Sequence, residues 1–168
     1  MIGDAELFVA LAENAGVFVG FGALIGVTKR GSAAASDRLQ VRGVVLTGLL
    51  VIASALMPVG LERYSLDPDA VWRVSSIAFL LLIWAAFLVP LRDPVDRSEF
   101  LSQFKAEPMG LVFLLCLEVA VQGPLVLVIL GSYPASSPAL YTTALIINLL
   151  QAAFLLGQLV LSGSDEVV

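Results

Sequence analysis

Residues 109–130 read MGLVFLLCLEVAVQGPLVLVIL, an almost unbroken apolar run with Glu118, Gln122 and Pro124 as its interruptions. A stretch of that length, at about 1.5 Å per residue, crosses a hydrocarbon layer of about 30 Å. Four more runs of similar length, residues 5–27, 41–61, 70–91 and 139–161, lie along the same chain of 168 residues. With 59% hydrophobic and 14% charged residues and a mean hydropathy of +0.97, a soluble domain could not hide so much apolar surface. The segments do not alternate apolar and polar residues as membrane barrel strands do. The expected fold is therefore all-α: one transmembrane domain over 1–168, a polytopic bundle of five helices in contact with membrane lipid.

The basic residues orient the bundle. Lys29, Arg30, Arg38 and Arg42 lie between or beside the first two runs, and Arg92, Arg97 and Lys105 lie between the third and fourth. Seven of the nine basic residues thus fall on one side, leaving Arg63 and Arg73 for the other. Basic residues near span ends favour the cytoplasm, which places the N-terminus outside and the C-terminus inside. Asp4 and Glu6 stand where a secretory signal would carry a basic leader, so the first run is expected to stay as a helix.

The connections are short. Leu66 to Asp69 reads as a turn capping the third helix, and Gly131 to Pro138 as another, with Ser137 as cap and Pro138 at the first helical position. Tyr64 and Trp72 look like interfacial anchors, whereas Trp84, near the middle of its run, suits packing. Residues 97–106 form the exception, a short amphipathic helix expected to lie at the cytoplasmic interface with Phe100, Leu101 and Phe104 on one side.

Composition excludes several activities. The net charge of -5 argues against a nucleic-acid partner. There is no histidine and one cysteine, Cys116, so no metal site, haem, iron–sulfur cluster or other cofactor is indicated. A lipid or quinone enzyme finds no recognisable active centre, and the chain is expected not to be an enzyme.

Attention then falls on polar residues at membrane depth. Glu13 sits about 12 Å into the first run beside Asn14, and Gly16 and Gly20 follow it on the same face, with Gly22 and Gly26 repeating the spacing. Glu118 shares a helix face with Gln122, and Pro124 should kink the helix near Gly123 by removing a backbone donor. Asn148, Gln151 and Gln158 recur at offsets of three and seven on one face, which Tyr141 extends. Ionisable groups in membrane spans often mark pathways. These residues suggest a small channel or secondary transporter for protons, cations or a small polar solute, working through buried carboxylates at Glu13 and Glu118 and assembled as a homo-oligomer. The alternative is a non-catalytic membrane subunit or assembly protein that binds partner helices through its glycine and polar faces. The early acidic residue followed by Gly16 to Phe21 in a compact bundle resembles small bacterial membrane proteins, so a bacterial inner membrane is expected.

Overall fold

A computed structural model of the chain describes residues 5–28, 35–91 and 108–162. Its five long helices are α1 (Ala5–Thr28), α2 (Ala35–Glu62), α3 (Pro68–Leu91), α4 (Pro108–Leu130) and α5 (Ser137–Ser162), with a 3-10 turn at Pro134–Ser136 before α5. Each contains a stretch long and apolar enough to span a membrane, and the protein is a polytopic helical membrane bundle. The amphipathic segment expected at 97–106 lies outside the described residues.

Backbone hydrogen bonds close the ends of the helices. At the end of α2, Arg63, Tyr64 and Ser65 donate back to Gly60, Leu61 and Glu62, and Ser65 takes the left-handed conformation with φ 54°. Pro68 then starts α3, where the missing N–H of proline costs nothing, and Val71 N–H donates to the Asp67 carbonyl at 3.0 Å. Gly131 ends α4 with φ 67°, a conformation that disfavours any side chain. A Cβ there would also stand 2.5 Å from Nη2 of Arg73, whose guanidinium packs over the turn. Ser137 differs from expectation. It has helical angles, and its Oγ donates back to the Tyr133 carbonyl at 3.4 Å, because the 3-10 turn runs directly into α5.

Helix α5 packs against all four others, and α1 packs mainly on α2. Lipid tails are as apolar as leucine, so close backbone approach has to hold such a bundle together. The seam between α1 and α2 shows it: a Cβ on Gly22 would stand 3.0 Å from Val44, one on Gly26 2.8 Å from Val41, and one on Gly48 2.5 Å from Val19 and 3.3 Å from the Ala15 carbonyl.

Toward the other end, Phe8 of α1, Trp72 and Phe79 of α3 and Tyr141 of α5 form an aromatic cluster. Tyr141 meets the other three rings at centroid distances of 5.7 to 6.3 Å. Trp72 is therefore core, not an interfacial anchor, since Phe8 and Tyr141 give its ring a protein surface to cover. Trp84 reverses in the opposite sense: it is 47% exposed on the outside of α3 beside Phe87.

Candidate functional site

The polar residues of α4 and α5 meet along one antiparallel seam. Asn148 Nδ2 donates to Gln151 Oε1 at 2.9 Å, Gln151 Nε2 donates to Glu118 Oε2 at 3.2 Å, and Gln122 Nε2 donates to Glu118 Oε1 at 3.1 Å. Gln151 Nε2 also reaches the Leu114 carbonyl at 3.5 Å. One turn and more further along, a Cβ on Gly110 would stand 3.4 Å from Gln158 Nε2. Nine residues of α4, from Gly110 to Glu118, thus run against eight of α5, from Gln158 back to Gln151. The stripe of Asn148, Gln151 and Gln158 faces a neighbouring helix. Asn148 and Gln151 are buried, while Glu118, Gln122 and Gln158 are half-buried.

This arrangement corrects the transport reading. No charged side chain among the described residues is buried. Nor do any three His, Cys, Asp or Glu side chains among them form a group able to hold a metal ion. Both oxygens of Glu118 accept carboxamide bonds, and the one from Gln151 joins α4 to α5. Glu13 is exposed. The buried face of α1 carries Phe8, Leu11, Ala12, Ala15 and Gly22, and at 3.6 residues per turn Glu13 and Gly20 point away from it. A buried-carboxylate channel or transporter site is therefore not supported.

The remaining sequence candidates take different positions. Asn14 is exposed and donates from Nδ2 to the Ala10 carbonyl of its own helix at 2.8 Å. A Cβ added at Gly16, Gly20 or Gly123 would meet nothing within 4 Å, in contrast to Gly22 and Gly26 in the α1–α2 seam. Pro124 is half-buried within α4, which continues to Leu130.

Sequence reasoning missed one interhelical bond. Tyr141 Oη donates to the Ser54 carbonyl at 2.7 Å, tying α5 to α2 inside the aromatic cluster. A tyrosine on the polar face of a transmembrane helix was the available signal, but its acceptor is a backbone atom, which every residue carries. Ser54, Ser75 and Ser76 are buried, and their hydroxyls have no hydrogen-bond partner among the described residues.

No family model, curated protein or solved structure matches the chain.

Proposed function

We propose that the chain is a non-catalytic subunit or assembly protein of a bacterial inner membrane, inserted with its N-terminus outside, that pairs α1 with a transmembrane helix of a second protein. The observation that carries this reading is Glu13, an ionisable side chain exposed on the outer face of a membrane helix. It lies about 12 Å from the start of α1, at a depth where an unpaired carboxylate in lipid costs about 3 kcal/mol. Gly16 and Gly20 continue that side with nothing within 4 Å of an added Cβ, so another backbone can approach closely. Glu118 and Gln122 of α4 and Asn148 and Gln151 of α5 are already bonded to one another. The glycine face and the carboxylate together suit a partner helix carrying a basic or other donor side chain. The chain's own basic residues lie near the ends of the spans, so two copies paired along α1 would set Glu13 against Glu13. The basic residues clustered between the first two and between the third and fourth spans support the orientation.

Photocrosslinking in native membranes tests the pairing. A photoreactive residue at Val17, 53% exposed one turn after Glu13, should trap a discrete second protein, whereas one at Leu81, 65% exposed on α3, should not. Glu13→Leu should abolish the adduct. A product at twice the mass of the chain would make the occupant a second copy, and adducts indifferent to Glu13→Leu would overturn the pairing.

A further inference from the structure

The buried hydroxyls of Ser54 on α2 and of Ser75 and Ser76 on α3 lack a hydrogen-bond partner among the described residues. Elsewhere in the chain, Thr28, Thr142 and Thr143 return their hydroxyls to carbonyls of their own helices at 2.8 to 3.2 Å. A buried hydroxyl left unbonded is costly, so these three call for a partner of another kind. Ser54 and Ser75 face one junction. Ser54 comes eleven residues, or about three turns, after Gly43, where an added Cβ would stand 3.5 Å from Leu155, so it lies on the side of α2 turned to α5. Ser75 comes seven residues, or about two turns, before Leu82, which shares a groove with α2, so it lies on the side of α3 turned to α2. Tyr141 sets their level. Its Oη donates to the Ser54 carbonyl at 2.7 Å, and its ring meets Trp72 and Phe79, one turn before Ser75 and one after it, at 5.7 and 6.0 Å. A serine reaches less far from the backbone than either ring, so the Ser75 hydroxyl is recessed between the two rings that Tyr141 touches.

We infer that a bound water molecule bridges Ser54 and Ser75 to the Tyr141 phenol at the junction of α2, α3 and α5. The donors and acceptors balance. The Tyr141 proton is committed to the Ser54 carbonyl, which leaves the phenol oxygen as an acceptor. Each serine hydroxyl donates one hydrogen bond to the water, the water donates one to the phenol oxygen, and about three bonds are usual for a buried water. A cation suits the place poorly, since Ser54, Ser75 and Tyr141 bring no carboxylate to balance its charge. An apolar occupant would leave the hydroxyls unpaired. Ser76, about 100° further round α3, turns away from α2 and stands outside the bridge. The site lies inside the bundle, away from the outward face of α1 invoked above, so either assignment can fail without the other.

Serine-to-alanine substitutions test the bridge by sign and by coupling, read from reversible unfolding of the full-length chain in mixed micelles. Ser54→Ala and Ser75→Ala should each raise the unfolding equilibrium constant about fivefold, because each releases the water. Together they should raise it by about the same fivefold, since one water is lost either way, and not by the product of about twenty-five. Ser54→Ala with Ser76→Ala is the comparison pair, whose effects should multiply. Infrared spectra of the folded chain give a second readout. Exchange into heavy-oxygen water should shift an internal O–H stretching band of the wild type, and Ser75→Ala should lack that band. An unfolding constant lowered by Ser54→Ala or Ser75→Ala would mean a dry, unpaired hydroxyl and overturns the inference. Multiplying effects of those two substitutions overturn it as well, as does a wild type with no band sensitive to heavy-oxygen water. Coupling of Ser54 to Ser76 as strong as to Ser75 overturns the choice of Ser75.

Discussion

Gln151 on α5 donates from Nε2 to Oε2 of Glu118 on α4 across 3.2 Å. The acceptor and the donor lie 33 residues apart, and Gln122 and Asn148 extend the pair at either end. Gln151→Leu would leave one oxygen of Glu118 and the amide of Asn148 without their present partners, at an expected cost of about 1–3 kcal/mol. A double-mutant cycle on Glu118→Ala and Gln151→Ala, measured by reversible unfolding in mixed micelles, should give a coupling of about 0.6 to 1.7 kcal/mol. Strict additivity would mean that the two side chains do not stabilise each other.

Tyr141 supplies a second fastening, from α5 to α2. Tyr141→Phe keeps the ring among Phe8, Trp72 and Phe79 and removes the bond to the Ser54 carbonyl, so unfolding measured in the same way should show a loss of about 1 kcal/mol. Tyr141→Ala also empties the aromatic cluster and should cost about 3 kcal/mol or more. Equal effects from the two substitutions would place the whole contribution in the hydroxyl.

The glycines divide into two classes by what surrounds them. Gly48→Val must displace Val19 and press on the Ala15 carbonyl, so it should destabilise the isolated chain by about 1–3 kcal/mol. Gly20→Leu meets open space within 4 Å and should leave the stability of the isolated chain unchanged while weakening association along α1. Stability measured in detergent, alongside crosslinking in membranes, separates these outcomes. A folding defect in Gly20→Leu would put that glycine in an internal seam.

Because Glu13 faces outward and Glu118 is held by carboxamides, the purified chain should add no proton or cation flux to sealed vesicles across a pH series. Glu13→Gln and Glu118→Gln should be indistinguishable from wild type in that assay. Flux that disappears with either substitution would restore a carboxylate pathway.

Orientation has its own measurement. Cys116 is the chain's single cysteine, so in a Cys116→Ala background a thiol can be placed at will. Ser65→Cys, in the exposed turn between α2 and α3, should react with a membrane-impermeant maleimide added to intact cells. Labelling only after lysis would invert the bundle.

The five helices were legible because lipid imposes a length. About twenty apolar residues cross the hydrocarbon layer, and little besides helix can do so with its backbone bonds satisfied. The shared face of Asn148, Gln151 and Gln158 was equally legible from their spacing. Whether that face met water or another helix was not, because the answer depends on Glu118 and Gly110, which a different segment brings opposite them. Trp72 and Trp84 were read the wrong way round for a related reason: depth along a helix was used to infer burial, and neighbouring helices determine burial instead.

By itself the sequence determined the five membrane-spanning helices of the described residues and how far along its span each polar residue lies. Depth follows from counting residues at about 1.5 Å each against a slab of known thickness. The direction in which each residue points was decided only by the tertiary structure. A helix such as α1 is apolar on nearly every side, so lipid selects no rotation about its axis. The rotation follows from where the α1 and α2 backbones approach closely, at Gly22, Gly26 and Gly48, and that contact turns Glu13 outward.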